Sequence, residues 1–212
     1  MTYKTITYAL ILASGLMLNT TTWANDGSLF MLVGSCFGCH GQNGSSFGPA
    51  MPTIAGLEDE TFVEIMEEYK YDERHSTIMG RIAKSYTDGE LQQMANYFAK
   101  QPFVRYPQAV DADKVKKGAK LHRQYCEKCH DDDGYEDEHG SGIVAGQRML
   151  YLQFSLADFK ARVRNQPRKM KRRLRKMIQA HGEASLDNLV HFYGSQTRIY
   201  VKDHDDDHHD DD

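Results

Sequence analysis

Apolar residues recur along most of this chain at the spacing of one helical face. Phe62, Ile65, Met66 and Tyr69 fall at i, i+3, i+4 and i+7, and Leu91, Met94, Ala95 and Phe98 repeat that spacing. Leu186, Leu189, Val190 and Tyr193 do so again near the far end. Each stripe predicts an amphipathic helix. Thr87 stands three residues before Glu90, the spacing of a capping box, and marks the start of the second stripe. No stretch sustains the period-two alternation of a half-buried strand, so the expected fold class is all-α. The stripes are interrupted by QPFVRYPQAVDAD at 101–113, where Pro102 and Pro107 end the preceding helix and mark a linker near 105–110. One apolar run is of another kind. Residues 1–24 carry Lys4, then YALILASGLML, then small residues at Thr22 and Ala24, the pattern of a secretory signal cut after Ala24. That run is too short to span a bilayer, so the expectation is an exported, periplasmic protein without stable membrane insertion.

The pattern also repeats at a fixed offset. CFGCH at 36–40 returns 90 residues later as CEKCH at 126–130. The same offset maps Ile54-Ala55-Gly56 onto Val144-Ala145-Gly146 and Tyr69-Lys70 onto Phe159-Lys160. Two copies of one domain follow, at 25–105 and 110–201, with a further tail at 202–212. Helical domains this short bury little apolar surface by themselves, which suggests that a bound group completes each core.

Cys-x-x-Cys-His is the attachment motif of c-type haem: two thiols about one helical turn apart, with the adjacent histidine directed at the iron. Cys36, Cys39 and His40 would hold one haem, and Cys126, Cys129 and His130 a second. A zinc ribbon would bring its cysteine pairs within roughly 15–20 residues of each other, whereas 86 residues separate Cys39 from Cys126. A thioredoxin-like pair would need a βαβ setting that the pattern does not offer. The remaining axial ligand decides between conduction and chemistry. A methionine thioether favours ferrous iron and raises the potential, while an open site admits peroxide or gas. Met79 lies 39 residues after His40, and Met170 lies 40 residues after His130. Met177, 47 residues after His130, is the competing candidate, with core packing as its simpler role. His75, His122, His139, His181 and His191 are possible substitutes, but none recurs at matching places in the two copies. A di-haem enzyme such as a peroxidase needs an open position, which the two methionines argue against.

Charge refines this picture. The 212 residues sum to a formal charge of -4, but unevenly. The first copy is acidic and the second basic, while HDDDHHDDD at 204–212 is acidic again and has no apolar residue with which to form a core. RKMKRRLRKM at 168–177 places seven bases and no acid around Met170 and Met177. Behind a secretory signal such a run has no nucleic acid to meet. It is either a solvated helical face or a surface that guides an acidic partner to the second haem. The chain has no Gly-rich dinucleotide fingerprint, so any flavin chemistry must sit on another subunit.

Ligand spacing and helical pattern together resemble tandem class I cytochromes c of the di-haem kind. More narrowly, STIMGRIAKSYTDGELQQMANYFAKQ (76–101), GAKLHRQYCEKCH (118–130), VAGQRMLYLQFSLADF (144–159) and LDNLVHFYGSQ (186–196) are similar to the cytochrome subunit of flavocytochrome c sulfide dehydrogenases. That resemblance implies a subunit carrying two haem c and not catalytic alone. A separate FAD-bearing subunit would oxidise sulfide, and the electrons would pass through these haems to a soluble cytochrome c. It further implies Met170, rather than Met177, on the second iron. By the class I pattern, the carbonyl of Pro52 accepts a hydrogen bond from His40, with Gly142 in the corresponding place in the second copy. The tail at 204–212 has no counterpart in the resemblance, and the acidic insert at 131–139 is variable in it. A free-standing di-haem carrier feeding a terminal oxidase is the alternative.

Overall fold

A computed structural model describes residues 22–136, 140 and 142–198. Most of the predicted signal, the tail at 202–212 and His139 lie outside the described residues.

Among the described residues every regular element is helical. The first copy holds α1 (Thr22–His40), α2 (Asp59–Lys70), α3 (Met79–Ala83) and α4 (Asp88–Ala99). The second holds α5 (Ala112–Tyr125), α6 (Met149–Ala161), α7 (Arg168–His181) and α8 (Ala184–Gly194). The predicted stripes are the buried faces. Leu91, Met94, Ala95 and Phe98 of α4 are fully buried against Val33 of α1 and Phe62 and Met66 of α2, with the Phe62 and Phe98 rings stacked at 5.6 Å. Full burial of a side chain such as Phe98 contributes about 2–3 kcal/mol. In the second copy Leu189, Val190, Phe192 and Tyr193 of α8 close on Leu121 of α5, Leu152 of α6 and Met177 of α7.

The helix starts obey local chemistry. At α4 the Thr87 side chain accepts from the Glu90 amide while the Glu90 carboxylate accepts from the Thr87 amide, completing the capping box. At α5 the Asp111 carboxylate accepts from the amides of Asp113 and Lys114. Met79 opens the short helix α3, where Ser76 Oγ accepts from the Gly80 amide at 2.8 Å.

After each Cys-x-x-Cys-His motif the backbone makes the same turn. Asn43 and Asp133 take φ of 54° and 57°, followed by Gly44 and Gly134 at 84° and 91°. The Gly44 carbonyl accepts from the amides of Ile54 and Ala55, and that of Gly134 from those of Val144 and Ala145. A Cβ at Gly44 would lie 2.8 Å from the Phe98 ring, so the turn needs glycine for space as well as for φ.

The copies are locked through buried polar contacts. The Gln147 side chain pairs with the Thr53 backbone in both directions: Oε1 accepts from the Thr53 amide at 2.8 Å and Nε2 donates to its carbonyl at 3.0 Å. Arg148 Nε donates to the Gly48 carbonyl at 2.9 Å, and Arg105 of the linker donates to the Ala145 carbonyl at 3.1 Å.

Candidate haem sites

The first motif occupies the last turn of α1. Cys36 is half-buried and Cys39 exposed, and neither pair, 36/39 or 126/129, is joined in a disulfide. His40 is buried, and its Nδ1 lies 2.8 Å from the Pro52 carbonyl, the contact expected from the class I pattern. A carbonyl only accepts, so Nδ1 carries the ring proton and Nε2 keeps a free lone pair. Burial lowers the His40 pKa and the Pro52 contact only partly opposes it, so the ring is neutral at physiological pH. A neutral imidazole with a fixed tautomer and an open Nε2 is what a metal requires of histidine. The residues present therefore fit a covalently held haem.

The second motif lies in the turn that ends α5, where the Cys126 carbonyl accepts from the His130 amide at 3.0 Å. Burial pushes the His130 pKa down to about 4, helped by nearby His122. The Gly142 backbone, in the place of Pro52, opposes this as a hydrogen-bonding group, although Nδ1 meets no acceptor at full hydrogen-bond geometry. It is the weaker of the two contacts. Burial also raises the Cys126 thiol to about 11, with the Tyr193 hydroxyl and then the charge of Arg173 pulling the other way.

The methionines separate by environment. Met79 is half-buried at the first residue of α3 and packs on the first core. Met170 is half-buried in the first turn of α7, and Met177, two turns further on, is completely buried in the second core. Met177 is thus packed into the core, while Met170 keeps part of its surface open. Of the histidines, His75 and His181 are exposed. His191 Nδ1 accepts from the Asp111 amide at 3.0 Å, and buried His122 pairs with the Tyr193 hydroxyl at 3.0 Å. Neither the Tyr193 contacts nor the Gln147 bridge is anticipated by the sequence reading. The glycine pair 44/134 shares the 90-residue offset and could have been found by extending the repeat.

A family model for cytochrome c matches residues 24–101. Cytochrome c4 of Thiocapsa roseopersicina is 30% identical over 150 residues, which cover 66% of this chain and 77% of that protein. The chain belongs to the class I cytochrome c family. It is a di-haem electron-transfer protein with two covalently bound haem c groups, one for each cysteine pair. The cytochrome subunit of sulfide dehydrogenase from Chlorobaculum tepidum is 42% identical to this cytochrome over a shorter stretch of 64 residues, 30% of this chain and 57% of that one. In fold, the crystal structure of reduced recombinant cytochrome c4 from Pseudomonas stutzeri superimposes with a TM-score of 0.68 at 22% identity, covering 80% of this chain and 97% of that one. When bound, each haem supplies a one-electron ferric/ferrous couple. The chain's own residues fix the His40 tautomer and keep the copies in register.

Proposed function

We propose that this cytochrome is the electron-transfer subunit of a periplasmic, sulfide-oxidising flavocytochrome, taking electrons from an FAD-bearing partner and passing them to a soluble cytochrome c. The observation that carries this reading is the 42% identity over 64 residues to the cytochrome subunit of a sulfide dehydrogenase. It agrees with the four segments singled out in the sequence. Two cores joined by buried hydrogen bonds suit conduction, because the two iron sites stay at one separation while electrons pass. Cys36, Cys39, Cys126 and Cys129 form the thioethers, with His40 and Met79 on the first iron and His130 and Met170 on the second.

The face of α7 is the docking surface. Its seven bases are all exposed, and none of them forms an ion pair with a described residue. The charge of Arg173 reaches Cys126, so the strip lies beside the second site. Among the described residues no helix is long and apolar enough to cross a membrane, and the proposed location rests on the signal at 1–24.

A second reading, a free-standing carrier that feeds an oxidase, is favoured by the longer match to cytochrome c4. One experiment separates the two: purify the cytochrome from its native host and add sulfide. Co-purification with a flavoprotein and sulfide-driven reduction of both haems support the subunit reading. Isolation alone, with no sulfide-driven reduction after the flavoprotein is added back, overturns it.

A further inference from the structure

The peptide unit between Pro52 and Thr53 is held at both ends. Its carbonyl accepts from His40 Nδ1 at 2.8 Å, and its N–H donates to Gln147 Oε1, also at 2.8 Å. The first contact lies within the first copy, while the second crosses to the other copy. Gln147 is 4% exposed and Thr53 6%, so the bond between them acts out of water, while the His40–Pro52 bond is partly buried. Gln147 has little freedom to leave: Nε2 donates to the Thr53 carbonyl, its own carbonyl accepts from Gln108 Nε2 at 3.0 Å, and Oε1 also accepts from the Arg148 amide at 3.0 Å.

We propose that Gln147 is a positioning residue for the first haem: by accepting from the Thr53 N–H it polarises the Pro52–Thr53 peptide, strengthens the Pro52–His40 hydrogen bond, and so lets the second copy set the potential of the first. Hydrogen bonds in series through one amide reinforce each other, by about 10–30% per bond. A stronger acceptor on Nδ1 makes the imidazole a better donor at Nε2, which favours ferric iron. The device works in one direction only. The position equivalent to Gln147 in the first copy is Leu57, which has no polar atom to offer the second site. The inference rests on His40 as an iron ligand and is independent of the sulfide reading.

The test uses the full di-haem protein. Each haem's potential is followed separately by paramagnetic NMR of haem methyl signals assigned through the attached cysteines. Gln147→Met keeps the side-chain length but removes both polar atoms. It should shift the first haem roughly threefold toward ferrous iron, ~28 mV at 59 mV per tenfold, and leave the second where it was. Gln147→Glu keeps an acceptor facing the Thr53 amide, so its first haem should stay at the wild-type potential or fall below it. A role in packing alone predicts that Met and Glu shift the first haem in the same direction. That outcome, or a first haem unmoved by Gln147→Met, overturns the proposal. Should Gln147→Met not accumulate as holoprotein, Gln147→Asn, whose amide stops short of the peptide, carries the same expectation. His40→Ala checks the ligand separately. If the first haem keeps its histidine-ligated spectrum in that variant, the ligand reading fails; if that spectrum is lost but Gln147→Met leaves the potential unchanged, only the coupling fails.

Discussion

Replacing Gly118 with alanine tests the packing that supports the second haem site. Gly118 lies on α5 where that helix crosses α8. A Cβ there would stand 2.1 Å from the Asn188 carbonyl oxygen and 2.6 Å from Phe192 Cβ. Neither contact is the far end of a flexible side chain. One is backbone and the other is the root of a buried ring, on a helix that also carries Leu189 and Val190 into the core. Relief requires the two helices to move apart by more than about 1.3 Å, the least difference between 2.1 Å and an ordinary contact, which loosens the Leu121, Leu189 and Phe192 packing with it. The opposing effect is helix propensity, since alanine is favoured over glycine in a helix interior by about 1 kcal/mol. Overpacking of a rigid site costs about 1–3 kcal/mol, and occasionally more. Because the clash is with backbone, the cost falls at the upper end of that range and the net expectation is a loss of about 2 kcal/mol, or on the order of 10 °C in the melting midpoint of a domain this size. Thermal unfolding of the ferric holoprotein, followed by far-ultraviolet circular dichroism and by haem absorption, reads this directly. Gly89→Ala is the control: it is exposed in the first turn of α4, has nothing within 4 Å of its added Cβ, and should raise the midpoint slightly. A Gly118→Ala protein as stable as wild type would show that the crossing is not tight, and would refute the reasoning.

Three further outcomes follow from the same contacts. Met79→Leu and Met170→Leu should each remove the thioether-to-ferric-iron charge-transfer band of one haem and lower that haem's potential, whereas Met177→Leu should keep both bands and cost stability only; loss of a band in the Met177 variant would reverse the assignment. Neutralising Arg172, Arg173 and Lys176 to glutamine should slow electron exchange with an acidic partner roughly tenfold at low salt, with the difference fading at high salt as the Debye length falls; unchanged salt dependence in stopped-flow reduction would remove α7 as a docking face. The Thr87 backbone, then its side chain, lowers the Glu90 pKa below its ordinary 4.5, so the stability it contributes is present above that pH and is lost as pH falls through the folded-state value. Glu90→Gln should therefore melt below wild type at neutral pH and converge with it in acid, and Thr87→Ala should cost about 1 kcal/mol; parallel melting curves at all pH values would count against the capping box.

What the sequence made legible was local or periodic. The α4 stripe and its cap are read within one helix. The haem motifs need only five consecutive residues, and the Pro52 contact follows once the class I pattern is recognised. The 90-residue offset converts one copy's geometry into a forecast for the other, down to the paired turns at Gly44 and Gly134. The contacts that escaped are those made when two finished copies dock. Gln147 and Thr53 are 94 residues apart, and no periodicity links a side-chain amide to a backbone peptide of another domain. Gly118 reads as an ordinary helix-weakening residue until α8 is laid across it. His122 reads as one of several unassigned histidines until the Tyr193 hydroxyl is placed beside it. A usable signal did exist for Gln147: a polar residue stood where the repeat had Leu57, at a position that is half-buried in the first copy and buried in the second.

The two copies differ where they meet and where they present charge, and such differences allow one fold to serve as two different redox sites. Identical copies would give two haems of nearly equal potential and no preferred side for a partner. In this chain the first proximal histidine has a proline carbonyl at 2.8 Å, braced from the other copy, while the second faces a glycine backbone in a weaker contact. Proximal hydrogen bonding taken alone therefore makes the first iron the better stabilised in the ferric state and leaves the second as the better resting place for an electron. The basic face of α7 lies beside that second site. On the ligand and docking assignments proposed above, the bracing contact and the charge pattern point the same way: electrons would be held longest on the copy whose surface is charged to meet an acidic acceptor.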